Sequence, residues 1–279
     1  NFSINSDNVI NATGVFSRSI MELDSNKLKT VIRPSQGVHL VVDKCFLNGN
    51  FGILVPKTSD GRVLFAVPWQ DHVIIGTTDT VVDNPSFNPE STKEEIDFIL
   101  ENVKNYLELY PKRDNIKSVF VGLRPLVANN SNSKSKDLSR KHKIIVSKSG
   151  MVSVIGGKWT TYRRMAENVI DLALKKTKLP FVKSKTSDLK IKNGLSKESL
   201  SDDFFLSKEM IIHYVKNEMA LNLDDIMSRR SRCLFLNTKE SIRIAPVVAE
   251  IMSNELSKDK VWIDKQLKSF YNLTNINKI

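Results

Sequence analysis

Between Val31 and Gly76 the apolar residues either alternate with polar ones or gather in short runs closed by Gly, Pro or Asp. Val38-His39-Leu40-Val41-Val42, Phe51-Gly52-Ile53-Leu54-Val55, Arg62-Val63-Leu64-Phe65-Ala66-Val67 and His72-Val73-Ile74-Ile75 predict four β-strands. Ser59-Asp60-Gly61 predicts a hairpin turn between two of them, because glycine takes a positive φ at little steric cost. The sheet is therefore expected to be mostly antiparallel. Upstream, Val9 to Gly14 reads as a brief buried strand ending in a turn of small residues, with a helix from Ser17 to Leu23. Downstream, Thr92-Lys93-Glu94-Glu95 spells a capping box. Ile96, Ile99, Leu100, Val103 and Leu107 then share one helical face, predicted to lie on the sheet until Pro111 stops the helix.

Strand patterns return at Val119 to Leu123, Lys143 to Ser147 and Val152 to Ile155, with a polar Asn/Ser/Lys loop from Asn129 to Lys136. From Pro180 to Ser201 periodicity fades into a lysine- and serine-rich linker. Helical spacing dominates afterwards, over about 207–220, 223–231, 238–256 and 258–271, with Pro246 expected to kink its helix or mark a short pre-turn. No internal repeat occurs. The pattern predicts an α/β (α+β) chain with a small helical tail.

Composition narrows the class. The 279 residues are 41% hydrophobic, enough to build packed cores and too many for a disordered chain. A net charge of +11 favours an anionic partner such as phosphate, nucleic acid or an acidic membrane surface. Aromatics are 8% and are not interleaved with Lys/Arg, which speaks against nucleic acid. Cys45 and Cys233 stand far apart without metal-ligand spacing, so buried thiols in a reducing compartment are expected, and no metal site. No apolar run reaches the ~20 residues of a membrane-spanning helix.

Candidate chemistry centres on Val154-Ile155-Gly156-Gly157-Lys158-Trp159-Thr160-Thr161-Tyr162. Here a buried strand meets two glycines, a lysine and two threonines just before a helix whose Met165, Ala166, Val169, Ile170 and Ala173 are expected to face inward. Glycines let another group approach the main chain, Thr160 or Thr161 can cap the helix, and the unpaired N–H groups of a helix start favour an anion. Lys158 adds a full charge. A phosphate, a carboxylate or a reduced flavin fits such a corner; so does plain packing of a helix on a strand. Arg124 ends an apolar strand before Pro125, and Arg140 follows a polar loop in Ser139-Arg140-Lys141-His142; arginine is the natural fork for phosphate or an oxygen substituent. Arg33-Pro34-Ser35-Gln36-Gly37 reads as a turn feeding His39 into a strand, where a histidine serves either as core or as catalyst. Arg229, Arg230 and Arg232 read as a solvated helix face or an interdomain contact.

These segments resemble the FAD-dependent glycerol-3-phosphate dehydrogenases, the mitochondrial, quinone-reducing branch in particular. The carriers are NATG at 11–14, RPSQGVHLVV at 33–42, VPKTSDGRVLFAVPW at 55–69, IIGTTDT at 74–80, GLRPLV at 122–127, SRKH at 139–142, GGKWTTYRRMAE at 156–167 and SRRSRCLFLN at 228–237. The resemblance implies an FAD-binding domain over 1–23 and 126–178, an antiparallel substrate (cap) domain over 24–125, a linker over 179–201 and a helical domain over 202–279. It implies oxidation of sn-glycerol 3-phosphate to dihydroxyacetone phosphate, with ubiquinone as acceptor, on the anionic surface of the mitochondrial inner membrane. Ala12, Gly14, Gly156, Gly157, Lys158, Thr160 and Thr161 would hold FAD. Arg124, Arg140 and His142 would bind substrate, and Arg124, His39 and Lys158 would serve the chemistry, with His39 as first candidate for the base. The family's G-x-G-x-x-G unit does not occur in the sequence, nor does a D-x-D-x-D-G calcium loop. An N-terminal FAD-binding segment preceding Asn1 is therefore expected, with this piece alone binding FAD poorly. An oxidase using dioxygen, a basic binding module and a degenerate product with structural duties only are the alternatives.

Overall fold

The computed structural model describes residues 2–24, 31–56, 58–128, 141–177, 179–190 and 199–278. The chain divides into two compact units. The first comprises residues 1–36, 79–87 and 123–192; the second comprises 37–78, 88–122 and 193–279.

The second unit is built on an antiparallel sheet of strands β2 (Val31–Asp43), β3 (Ile53–Val55), β4 (Leu64–Trp69) and β5 (His72–Gly76), in the order β3-β4-β5-β2. The Ser59-Asp60-Gly61 turn joins β3 to β4, closed by Thr58 N–H donating to Arg62 O at 3.3 Å. Period-2 alternation gives the sheet two faces. Val38, Leu40, Val42, Leu64, Ala66, Val73 and Ile75 are buried against Ile96, Ile99 and Val103 of helix α2 (Lys93–Val103). The opposite face carries half-buried Phe65, Val67, Trp69 and His39. The capping box forms as expected: Thr92 Oγ1 accepts from Glu95 N–H at 3.3 Å, and Glu95 Oε2 accepts from Thr92 N–H at 3.1 Å. The helix nonetheless ends at Val103, well before Pro111, in a turn that keeps Leu107 buried.

Helices α4 (Lys208–Asn217), α5 (Cys233–Leu236), α6 (Thr238–Leu256) and α7 (Lys260–Thr274) form the other core of this unit, centred on Ile211, Leu223, Met227, Leu234, Val248, Met252 and Phe270. Pro246 is accommodated inside α6. Asp225–Arg230 winds as a π-helix, not the expected α-helix. Its Arg230 is not a solvated side chain, since it donates to the Asp225 carbonyl at 3.2 Å. Strand β7 (Ile116–Ala128) is stitched to this bundle: Ser118 Oγ donates to Leu234 O at 3.0 Å, and Asn277 Nδ2 donates to Val119 O at 2.8 Å.

The first unit holds strands β1 (Ile10–Asn11), β8 (His142–Val146) and β9 (Val152–Gly156) in the order β1-β9-β8, with β1 parallel and β8 antiparallel to β9. Helices α1 (Ser17–Asp24) and α3 (Tyr162–Thr177) pack on β9. Of the predicted inner face of α3, Val169 and Ala173 are buried, whereas Ala166 and Ile170 are exposed. Arg33 to Gly37, expected as a turn, belongs to β2, and Ser35 and Gln36 pair with strand β6 (Thr80–Val81). Pro34 is tolerated there because its carbonyl, which proline keeps, accepts Val82 N–H at 3.0 Å.

The cysteines split. Cys233 is buried, and burial pushes its thiol up to about 12. Cys45, expected inside, is exposed in a short 3-10 turn after β2. The loop expected over 129–136 lies outside the described residues, as does 191–198 of the expected linker; the linker's described part from Pro180 to Lys190 carries no helix or strand.

Candidate functional site

Because β1 and β9 run parallel, with Asn11 opposite Ser153, their carboxyl ends emerge on the same side of the sheet. That side is where ligands gather in open α/β sheets. The two motifs at these ends, Asn11-Ala12-Thr13-Gly14 and Gly156-Gly157-Lys158, are both turns. Gly14 has φ +60° and opens a 3-10 turn; Ala12 beside it is exposed. Asn11 fixes this turn from beneath. Its Nδ2 donates to Ser17 O at 3.0 Å and to Ser153 Oγ at 3.3 Å, and its Oδ1 accepts from Thr13 Oγ1 at 2.7 Å. Sequence reasoning quoted Asn11 within a motif and missed this role, whose partners lie as far as 142 positions away.

Gly156 and Gly157 have φ +71° and +87°, which alone favours glycine. Space demands it as well: a Cβ on Gly156 would come within 2.9 Å of Lys141 O and Val127 Cγ2, and one on Gly157 within 2.6 Å of Met165 Cε. The pair thus lets the turn lie close on β8 and α3, and it also forms one wall of a cleft of about 460 Å³. Leu123 to Leu126 of β7 line it together with Gly156 to Trp159, Tyr162 and Met165. Lys158 is exposed at this wall, and Trp159 and Tyr162 stack with centroids 5.8 Å apart. A 3-10 turn over Trp159–Thr161 precedes α3. Thr161 Oγ1 accepts from Lys158 N–H at 3.4 Å and donates to Lys158 O at 3.0 Å, closing that turn rather than capping α3; Thr160 is exposed.

Arg124 contributes the second cation of the cleft. Asp79 Oδ1 lies 3.7 Å from its guanidinium and also accepts the Ser35 hydroxyl. Asp79 was not singled out from sequence, although it stands in the quoted IIGTTDT stretch. His142 pairs with Gly156 across the β8–β9 ladder, and its Nε2 lies 3.1 Å from Asn168 Nδ2 of α3. It backs the glycine turn and is not among the residues lining the cleft. Arg140 lies outside the described residues. His39 belongs to the second unit, half-buried on the sheet face opposite α2.

A cleft with two bare-backbone residues, a lysine, an arginine and an aromatic pair can hold a flat, polar, electron-rich ring. The donor set fits the flavin of FAD: Gly156, Gly157 and Lys158 on one wall, with backbone N–H groups before α3. No pyrophosphate loop is present in the sequence to complete such a site.

Comparison with known proteins bears on the family and the fold. Residues 159–262 match the model described as the C-terminal domain of alpha-glycerophosphate oxidase. The chain is 32% identical over 317 aligned residues to the mitochondrial glycerol-3-phosphate dehydrogenase of Homo sapiens, covering 96% of this chain and 44% of that protein. The corresponding enzyme of Mesocricetus auratus is 31% identical with the same coverage. The chain therefore spans less than half the length of these curated relatives. In fold it is similar to the glycerol-3-phosphate dehydrogenase of Bacillus halodurans solved with FAD, with a TM-score of 0.77 at 22% identity over 98% of this chain and 63% of that one. Residues 2–163, more than half of the sequence, match the model for FAD dependent oxidoreductases, and the chain belongs to that family.

Proposed function

We propose that this chain is the C-terminal part of an FAD-dependent glycerol-3-phosphate dehydrogenase, oxidising sn-glycerol 3-phosphate to dihydroxyacetone phosphate and passing electrons to ubiquinone. The observation that carries the proposal is the cleft that Arg124 and Lys158 line together with the Gly156-Gly157 turn. The division into an FAD-binding part over 1–23 and 126–178, a substrate part over 24–125, a linker and a helical domain from 202 belongs to the same proposal. So does an N-terminal segment supplying the pyrophosphate cradle.

Bound FAD supplies the two-electron acceptor. Gly156, Gly157, Lys158, Thr160 and Thr161 would hold it on one side, with Lys158 and nearby N–H groups supplying positive charge there. Ala12 and Gly14 approach it through the main chain. Oxidation at C2 of the substrate removes a hydroxyl proton together with a hydride. His39 takes the proton, since histidine titrates near neutrality. Arg124 directs its guanidinium at the C2 oxygen as it becomes a carbonyl, and Asp79 holds that guanidinium in place. Arg140 serves the phosphate, and His142 supports the glycine turn from behind. The setting is the anionic surface of the mitochondrial inner membrane; among the described residues no helix is long and apolar enough to cross a membrane.

Arg124→Ala in the full-length protein tests the proposal. Loss of a charge-assisted hydrogen bond costs about 1.5–3 kcal/mol, so kcat/KM for glycerol 3-phosphate should fall roughly tenfold to a hundredfold. Wild-type kcat and KM would remove Arg124 from the site. A second reading, with dioxygen as acceptor, is supported by the oxidase named in the C-terminal match. Peroxide released in step with substrate consumption, without quinone, would select it.

A further inference from the structure

Gly76 lies between two ring-bearing residues. In register it pairs with His39 of β2 on one side and with Phe65 of β4 on the other. A Cβ on Gly76 would stand 2.6 Å from His39 Cδ2 and 3.1 Å from Val38 O, so the imidazole occupies room left by the missing side chain. The Phe65 ring lies 5.8 Å from the imidazole. Phe120 of β7 lies flat against it, at 4.8 Å between centroids and 11° between planes. Gly76 and these two rings confine a side chain that otherwise turns about two torsions.

Phe120 is itself supported. The ring of Phe235, on α5, stands 5.4 Å away at 51°, and Trp69 meets Phe120 edge-on at 6.4 Å. α5 is firmly seated: Cys233, Leu234 and Leu236 around Phe235 are buried in the helical core. The hydrogen bond from Ser118 Oγ to Leu234 O, two residues before Phe120, fixes the strand to that helix. An unbroken line of ring contacts thus runs from the helical C-terminal segment to the histidine. All of it lies within the second compact unit.

We infer that Phe235 is a positioning residue for His39: it backs Phe120, and Phe120 holds the imidazole in one orientation over Gly76. This gives the helical segment a part in the chemistry without bringing any of its atoms to the substrate. The inference rests on the reading of His39 as the proton acceptor, a role that needs the ring nitrogen within about 2.6–3.2 Å of the hydroxyl it serves. A displacement of ~1 Å in such a group can cost up to about a hundredfold in rate.

The test uses the full-length protein with 13C-labelled histidine, the His39 resonance being assigned by its loss in His39→Gln. In the wild type that resonance should be shifted upfield by the stacked Phe120 ring. In Phe235→Ala the ring of Phe120 loses its backing, so the resonance should move towards the value of a free histidine, and kcat should drop about tenfold with KM within about twofold. Phe235→Leu, which keeps most of the volume and loses the flat ring, guards against a variant that fails to fold, and should show the same changes in smaller measure. Phe235→Tyr should restore both readouts. Met252→Ala, which opens the same helical core from α6, should destabilise the protein and leave the resonance in place. An unmoved His39 resonance in Phe235→Ala and Phe235→Leu overturns the inference, as does an equal movement in Met252→Ala. A moved resonance with unchanged kcat upholds the positioning and removes the reading of His39 as base; wild-type turnover in His39→Gln removes that reading independently.

Discussion

Asp79 is the residue whose contribution is easiest to isolate. It accepts the hydroxyl of Ser35, which is wholly buried, and stands 3.7 Å from the Arg124 guanidinium. The Ser35 bond anchors the carboxylate, and the anchored carboxylate limits where Arg124 can point. Asp79→Asn keeps the size and one acceptor oxygen but removes the charge. It should leave the fold intact, and in the full-length protein it should raise KM and lower kcat/KM for glycerol 3-phosphate by about three- to tenfold, since a partly exposed ion pair is worth roughly 1 kcal/mol. Kinetics indistinguishable from wild type would make the contact incidental. The prediction concerns orientation rather than charge alone, so Asp79→Glu, which preserves charge and moves it by one methylene, should also lose activity. Arg124 was visible in the sequence as an arginine held before a proline, although β7 runs on through both to Ala128 instead of ending there. Asp79 and Ser35 were not, because their meeting depends on two segments 44 positions apart. The same holds for Asn168, which reaches His142 across 26 positions.

Among the elements, α2 shows how a local signal acquires a longer-range duty. Thr92 and Glu95 form the capping box that their spelling predicts, but Glu95 is buried and does more. Its Oε1 accepts from Thr78 Oγ1 at 3.0 Å, and Thr78 Oγ1 accepts from Val38 N–H at 3.0 Å, next to His39. The helix start is therefore tied to the strand that carries the candidate base. Thr92→Ala should cost about 1 kcal/mol, the usual value of an N-cap. Glu95→Ala should cost more, roughly 2–4 kcal/mol, because it also leaves the buried Thr78 hydroxyl short of its acceptor. Urea unfolding of the two variants measures the difference, and equal losses would reduce Glu95 to a cap. The contrast also marks what sequence conveys at this scale. Capping boxes, period-2 runs, helical spacing and a Ser-Asp-Gly turn are local, and β2 to β5, α2 and α6 were placed by them. The extension of β2 through Pro34 depends on Val82 as a distant partner, the π-helix over 225–230 depends on its packing in the helical core, and the early end of α2 depends on where Leu107 must be buried. Val82 and the helical core lie outside the window a periodicity covers, and Leu107 lies inside it but is buried by a turn that periodicity does not distinguish from a helix.

For the whole molecule the governing quantity is charge. A net +11 on 279 residues exceeds what solubility needs for a small domain, about 2–8 in magnitude. Ion pairs such as Arg18–Glu22 and Lys44–Asp71 join one charge of each sign and leave this excess unchanged. On the proposed membrane setting, such a positive field would draw the protein towards an anionic bilayer, where each lysine or arginine near the surface contributes about 1 kcal/mol. With only a few such residues engaged, partition onto vesicles carrying phosphatidylserine or cardiolipin should fall at least tenfold between about 0.1 M and 0.5 M salt, as the screening length shrinks below ~10 Å. Neutral phosphatidylcholine vesicles should bind poorly at either salt. Exposed apolar side chains such as Phe51, Leu54 and Trp159 supply the competing mechanism, for burial of apolar area is insensitive to this screening. Partition that holds steady across the salt range, and does not distinguish anionic from neutral lipid, would assign membrane association to those side chains and reduce the basic charge to a solubilising role.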